Sequence, residues 1–484
     1  MNWWMLRRRV HASWLIAGLC FGVMVGVILA QYDGTHLFQP IVWCFAGLGL
    51  AALSLWRKKL YVIPFVLVAG CLIGLWRGAV VQVTLGPYEK LVGTEVTLRG
   101  VVREDPEMDA KRMLTLHLAV DTINGHTVPG TLWVTTNESR DIKRGDIVTL
   151  HGEIQPGFSG FAGSMYRAKI TSVLRPAFDP ANAAREWFGT QVRTILPENE
   201  AALGIGFLTG QKQGLSPELD TAMRTVGLTH IVVASGYNLT ILVRLARRLF
   251  VRVSKYLAAL SGAGMIAGFM AITGMSPSMS RAGLVAGLSL AAWYYGRKFH
   301  PLVLLPFTAA VTLLINPTYG WNDLGWQLSF MAFAGVMIVA PLLQAYFFGS
   351  KKPGLLRQVV GETVAAQLVT LPILIGIFGQ FSSVALIANV LVVPLVPAAM
   401  LLTFLTGVTA PFLAWFAELL GWLAEAVLAY MIGIVDFLAA LPWAVTSLVL
   451  PVWAIVVVYI GLVAGCVWIQ CATKYDLRTA NLVE

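Results

Sequence analysis

The sequence predicts a polytopic α-helical membrane protein of about 11–12 transmembrane helices with an inserted soluble all-β domain of the OB-fold kind. Three observations predict it. Of 484 residues, 57% are hydrophobic and only 12% charged, about half the charged share of a soluble domain. The apolar residues gather in repeated runs of about 17–25, the length that crosses a bilayer core. One stretch, from about Leu85 to Arg175, replaces those runs with short alternating segments separated by turn residues.

Three apolar segments, near 12–30, 40–55 and 60–76, make an N-terminal membrane domain, 1–79. The basic clusters Arg7–Arg9 and Arg57-Lys58-Lys59 flank them. Lys and Arg collect in cytoplasmic loops, so the N-terminus is expected in the cytoplasm and the third helix delivers the chain outside. The first apolar run is longer than a signal peptide's usual ~7–15 residues and no small-x-small cleavage site follows it, so it reads as an uncleaved helix. The same rule accounts for a net charge of +10 without nucleic acid. Cys20, Cys44, Cys71, Cys466 and Cys471 lie in or beside apolar runs and form no C-x-x-C pair, so no disulfide framework or zinc site is expected.

The extracytoplasmic domain, 80–178, holds five strand-like runs: GTEVTLRGVVRED, RMLTLHLAVDTI, GTLWVTT, GDIVTLHGEIQ and MYRAKITSVL. Five short strands in this length fit a small barrel. OB-folds bind single-stranded nucleic acid through a basic groove and stacking aromatics, but here eleven basic residues face eleven acidic ones between 85 and 175. Trp133, Phe158, Phe161 and Tyr166 have two readings, stacking on bases or packing in a core or at a membrane interface. The loop GFSGFAGSM is the candidate contact surface. Residues 179–226 follow as an amphipathic helix, 181–196, suited to the membrane interface, and a polar connector.

The membrane domain proper, 227–470, precedes a short tail, 471–484. It opens on VGLTHIVVASGYNLTILVRLARRLFVRVSK, 226–255. His230, Ser235, Gly236 and Asn238 stand where a lipid-facing helix would have Leu or Val. Polar groups at that depth turn toward protein or water, and a Ser-Gly break is tolerated only where it is buried or lines a cavity. Arg244, Arg247, Arg248, Arg252 and Lys255 continue it at steps of three and four, near one helical face. Apolar segments then recur near 257–274, 281–296, 300–316, 324–346, 358–378, 383–405 and 447–470. Arg297-Lys298 and Lys351-Lys352 fall inside by this alternation, and Gly274–Pro277 and Pro317–Asp323 fall outside. In Pro411–Ala440, Glu418, Glu425 and Asp436 lie within about 20° of one line on a helix. An interfacial helix would put that line in water; a spanning one would turn it to a polar interior, as a proton relay would require.

The histidines form no metal-ligand spacing, no phosphate loop is present and Ser235 lacks a full G-x-S-x-G. The expectation is therefore a non-enzyme without cofactor or metal. Gln327, Ser329, Gln367 and Asn389 are further polar residues inside apolar segments, where helix–helix hydrogen bonding is the plain reading. Arg281 differs: it sits on the side where the positive-inside rule expects no Arg, which suits an anion-facing or acid-paired role.

GFLTGQKQGLSPELDTAMRTVGLTHIVVASGYNLTIL resembles the segment of the ComEC family of competence proteins that runs into GL-x-H and a Ser-Gly pair. SMSRAGLVAGLSLAAWYYGRK resembles that family's RA…GR helix pair, INPTYGWNDLGWQLSFMAFAGV its GFQLSF region, and LPILIGIFGQFSSVALIANVLVVPLVP its P…F-x-x-x-S…N-hydrophobic-P signature. The resemblance implies an inner-membrane, multi-pass channel that admits single-stranded DNA during natural transformation, with the OB domain outside. His230, Ser235, Gly236, Arg281, Gln327, Ser329, Asn389 and Pro394 match the family pattern. Asn238 departs from it, standing where the family reads His. Longer members carry a C-terminal metallo-β-lactamase-like domain, which this sequence lacks. The implied partners are single-stranded DNA, membrane lipids, a separate nuclease, a periplasmic DNA receptor and a cytoplasmic DNA-translocating protein. The alternative is a proton-coupled or lipid-handling transporter using Glu418, Glu425 and Asp436.

Overall fold

The computed structural model describes residues 9–32, 35–108, 113–138, 141–158, 160–176, 179–211, 214–232, 236–274, 276–297, 300–349 and 354–475. Ser235, Arg7, Arg8, Lys298, Lys351 and Lys352 lie outside them. The chain forms two compact units, Met1–Asp179 with Leu302–Gln327, and Pro180–Pro301 with Leu328–Glu484.

In the first unit, helices Ala12–Leu29 and Ile63–Leu91 pack along each other through glycines. Gly22 and Gly26 face Gly70 and Gly74, a G-x-x-x-G step on each helix. A Cβ on Gly70 would overlap the Leu19 carbonyl, and one on Gly26 the Cys71 carbonyl, so only glycine lets the backbones approach this closely. Helix Val42–Arg57 also packs on Ile63–Leu91 rather than on the first helix.

The third helix runs on to Leu91, past the residue 76 at which its apolar stretch was expected to end. Its polar continuation is held at two points. Arg77 donates from Nε to Leu314 O at 2.8 Å and from Nη2 to Ile315 O at 3.0 Å. Those are C-terminal carbonyls of helix Pro301–Ile315, which have no intrahelical partner of their own. Beyond it Tyr88, only 1% exposed, donates its hydroxyl to Val128 O at 3.3 Å and joins the core of the β-domain with Leu85 and Leu91.

Among the described residues that domain has eight strands: β1 Glu95–Val102, β2 Glu107–Met108, β3 Leu114–Ile123, β4 His126–Thr136, β5 Ile147–Glu153, β6 Gln155–Pro156, β7 Gly163–Met165 and β8 Lys169–Leu174. They form one curled sheet in the order β6-β7-β4-β3-β1-β5-β8, with β2 on β3. Alternation puts Val96, Leu98, Leu116, Leu118, Leu132, Val134, Val148 and Leu150 inside. β3 and β4 are joined at Asn124-Gly125, both with positive φ, as a two-residue hairpin turn requires. The path ends at β6 and β8, which do not pair among the described residues. The expected barrel is thus an OB-like half-barrel, and the strands beyond the expected five are the short β2, β6 and β7.

The second unit is helical apart from a two-stranded ribbon, β9 Gln380–Ser382 with β10 Val445–Ser447. Its core joins Glu198–Thr209, Pro217–Thr225, Ala385–Val392, Val396–Thr409 and Ala414–Ala439 through Phe207, Leu228, Val392, Met400, Leu428 and Met431. The expected interfacial helix forms as Pro180–Arg193, yet Arg185 on its polar side is buried, with Nη1 at 3.5 Å from Ile272 O, and Phe188 and Val192 join the core.

Among the described residues, eight helices are long and apolar enough to cross a membrane: Ala12–Leu29, Leu60–Leu91, Lys255–Thr273, Leu324–Phe348, Arg357–Phe378, Ala385–Thr409, Ala414–Ala439 and Val452–Thr473. Val42–Arg57 and Leu302–Ile315 are apolar but shorter. The chain is a multi-pass helical membrane protein. The count of long spans is below the expected 11–12: two expected spans are these short helices, the one expected near 281–296, helix Pro277–Tyr294, is not among the eight, and 228–249 includes residues outside the described ones.

Candidate functional site

The stretch expected to break is entered through a capped helix end. Helix Pro217–Thr225 starts on Ser216, whose side chain accepts from Leu219 N, and has Pro217 in its first turn. It ends at Gly227, φ +76°, with Gly227 N bonded to Arg224 O at 3.1 Å and Leu228 N to Met223 O at 2.9 Å. That bond pair is a Schellman cap, which takes Gly at the left-handed position and buries the apolar residue after it; Leu228 is fully buried. One short turn follows, Thr229–Val232, in which His230 Nδ1 lies 3.1 Å from Gly227 O and the ring stays exposed. Residues 233–235 lie outside the described ones, and helix Gly236–Phe250 follows them.

Asn238 is completely buried, and its Nδ2 donates to Phe207 O at 3.0 Å. Phe207 lies in the last turn of Glu198–Thr209, whose final carbonyls lack intrahelical partners. Asn238 therefore caps a distant helix end. A donor at this position is what the fold needs, so Asn in place of the family's His keeps the link.

Arg281 approaches the break from helix Pro277–Tyr294, which starts on Ser276 with its side chain accepting from Met279 N. Arg281 donates from Nη1 to Ser329 O at 3.0 Å. Its guanidinium lies over Phe330 and Phe333, 5.7 and 5.4 Å from the ring centroids. A Cβ on Gly236 would stand 3.7 Å from Arg281 Nη2, ordinary contact distance, so the guanidinium lies beside Gly236. Ser278 Oγ donates to Ser329 Oγ at 3.3 Å and ties the same helices together. Nε of Arg281 is buried without a hydrogen-bond partner, and among the described residues no carboxylate lies within ion-pair distance of the side chain. Ring faces and one carbonyl surround this cation.

Of the other sequence candidates, Gln327 is half-buried at the end of the first unit and its backbone N–H bonds Asp323 O at 3.1 Å. Asn389 is buried and donates to Ala385 O of its own helix at 2.8 Å, which satisfies it locally. Helix Ala414–Ala439 buries the stripe Ala417, Gly421, Ala424, Leu428, Met431, Val435 and Leu438. Glu418, Glu425 and Asp436 each follow a stripe residue by one, so they line its edge, with Glu425 half-buried and the other two exposed. Seven and eleven residues of helix separate them by about 10 and about 16 Å, too far for direct proton transfer between them.

In the first unit Trp133, Phe158 and Phe161 do come together, with His117 as a fourth ring: the centroids of His117 and Trp133 are 4.8 Å apart, of His117 and Phe161 4.9 Å, and of Trp133 and both phenylalanines 5.5 Å. Tyr166 lies outside this cluster and is exposed. His117 Nδ1 is 2.9 Å from Glu104 Oε2. The loop GFSGFAGSM rests on the turn Thr318–Asp323: a Cβ on Gly160 would meet Thr318 O at 3.5 Å and Asp323 Cβ at 3.7 Å. Burial raises the Asp323 carboxyl above its ordinary range, the Trp326 N–H at 2.6 Å opposes this, and the charge of Glu104 adds to it. Sequence reasoning missed His117, Glu104 and Asp323, which are far apart in the chain and carry no local spacing signal. Among the described residues no group of three or more metal-ligating side chains forms.

Comparison with known proteins gives the same reading. The sequence model of the family described as Competence protein matches residues 207–471, from the capped Phe207 to the last helix. The chain is 27% identical over 241 residues to ComE operon protein 3 of Bacillus subtilis (strain 168). That match covers 48% of this chain and 30% of the relative, so the chain spans under a third of that protein's length. No solved structure matches. With a family match over more than half of its residues, which takes in Phe207, Asn238 and Arg281, the chain belongs to the competence protein family, of the ComEC kind.

Proposed function

We propose that this protein is the conduit through which single-stranded DNA crosses the bacterial cytoplasmic membrane during natural transformation. Membership of the competence family supports a part in DNA uptake. The observation that carries the conduit is Arg281: a guanidinium beside Gly236, with an unpartnered buried Nε and no carboxylate partner among the described residues. A polyanion needs its charge compensated along the path, and here Arg281 supplies it at the break. Helix Gly236–Phe250 then carries Arg244, Arg247 and Arg248 onward, with Arg244 about 12 Å further along. Its ladder steps match a chain of phosphates better than a compact substrate.

In this reading the N-terminus is cytoplasmic and the half-barrel lies on the outer side of the membrane. Phe158 and its neighbours Trp133 and Phe161 offer ring faces for stacking, which tolerates any base sequence. The protein works as a passage and not as an enzyme, so a separate nuclease removes the second strand. A periplasmic receptor delivers DNA and a cytoplasmic protein pulls it in. Transformation in a deletion strain tests this. Wild type restores it; Arg281→Lys, which keeps the charge, restores it partly; Arg281→Glu, present in the membrane at wild-type level, leaves it at least about 100-fold down, as a like charge on a polyanion path requires. Full rescue by Arg281→Glu refutes the role.

A further inference from the structure

A second site lies in the first unit, outside the region that the family model covers. Helices Ala12–Leu29 and Val42–Arg57 both pack on Ile63–Leu91 and hardly touch each other. A groove of about 700 Å³ therefore opens between them, at the end where the first helix begins and the second stops. Ala12, Ile16, Ala52 and Leu55 make its floor, and Arg9, Arg57 and Lys58 its rim. Among the described residues no acidic side chain lines it.

The rim is fixed by the backbone. Val10 N donates to Lys58 O at 2.9 Å, and Arg9 pairs with Lys59 as a single β-bridge. Lys58 takes a left-handed conformation, φ +46°, at the end of the second helix. The N-terminus of one helix is thus clamped beside the C-terminus of the other, and their cations gather at one mouth. Trp56, 78% exposed, stands at the lip, the position Trp takes at the boundary between headgroups and hydrocarbon.

We propose that this groove binds an anionic phospholipid, its phosphate between Arg9, Arg57 and Lys58 and an acyl chain on the floor. Charge complementarity and an apolar floor between two membrane helices select this occupant: a free phosphate would leave the floor unfilled, and a zwitterionic lipid would set its own ammonium against three cations. Basic pockets at the ends of membrane helices recognise acidic headgroups in this way, and guanidinium forks suit phosphate oxygens. The site does not depend on the DNA reading. It would seat the N-terminal helices at one membrane face.

Native mass spectrometry of the full-length protein, purified from an equimolar mixture of dioleoyl phosphatidylglycerol and dioleoyl phosphatidylethanolamine, tests it. The wild type is expected to retain the glycerol lipid over the ethanolamine lipid by about 10-fold or more, given the attraction of each cation for an acidic headgroup. The triple variant Arg9→Gln, Arg57→Gln, Lys58→Gln is expected to lose that preference. Because removing basic residues can also reorient the helices, Ala52→Phe serves beside it: it fills the floor with every charge in place and is expected to lose the lipid too. Retention by both variants, or by Ala52→Phe alone, overturns the groove. Displacement of the lipid by millimolar glycerol 3-phosphate overturns the lipid assignment in favour of a free phosphate.

Discussion

Replacing Asn238 with Ala removes one donor from a fully buried carbonyl and leaves every charge in place. Phe207 O then ends a helix with no partner from Asn238, at a residue that is itself completely buried. Interhelical hydrogen bonds in membrane proteins average about 0.6 kcal/mol, and orphaning a buried acceptor costs about 1–3 kcal/mol. Burial of both partners favours the upper part of that range, and carbonyl solvation after local opening lowers it, so about 1–2 kcal/mol is the expected loss. The loss acts locally, on the turn that Asn238 caps. Hydrogen exchange reads such openings directly: the Gly210 amide, bonded to Gly206 O at 2.8 Å, is expected to exchange about 5–30-fold faster in Asn238→Ala, while the strands of the half-barrel do not change. Asn238→His, which restores a ring donor, is expected to fall between the two. Unchanged exchange at Gly210 in the alanine variant refutes the capping role.

Two further outcomes follow. Gly70→Val forces a branched side chain into the Leu19 carbonyl, and is expected to separate the first and third helices; cysteines placed on facing positions of the pair should then cross-link poorly, and wild-type cross-linking would refute the close approach. Asp323, outside the candidate spans, has a carboxyl raised above its ordinary 3.8, so the folded turn holds the proton more tightly than the open one does. Its stabilisation is full below the ordinary value and is lost as pH rises to the raised one. Exchange protection of the 318–323 amides, corrected for intrinsic rate, should fall across that window in the wild type and stay flat in Asp323→Asn; identical profiles refute the linkage.

The large elements were legible because their signals are local. Apolar runs marked the helices, alternation marked β1, β3, β4, β5 and β8, and the Asn124-Gly125 turn is a hairpin signal in itself. What sequence left out depends on pairing at a distance. Helix Ile63–Leu91 outruns its apolar stretch because Arg77 finds the carbonyls of Leu314 and Ile315, more than two hundred residues on. Arg185 reads as the polar face of an interfacial helix until tertiary packing buries it. The site shows the same division. Gly236 and Arg281 stood out because Gly breaks a helix and Arg is costly in a bilayer, and the structure brings them side by side. Asn238 stood out as polar, but its partner Phe207 is a backbone carbonyl, which no residue pattern announces. Trp133, Phe158 and Phe161 were chosen as aromatics; His117 completes their cluster from another strand.

The conduit is tested most directly by asking what the break touches while DNA moves. A photo-reactive amino acid in place of Tyr237, next to Gly236 and 42% exposed, can be compared with one in place of Val457, which is 59% exposed on helix Val452–Thr473. Both strains are given labelled DNA and illuminated during uptake. DNA cross-linked at 237 and absent from 457 is the predicted result. Uptake at the normal rate with no DNA cross-linked at 237 would contradict the account.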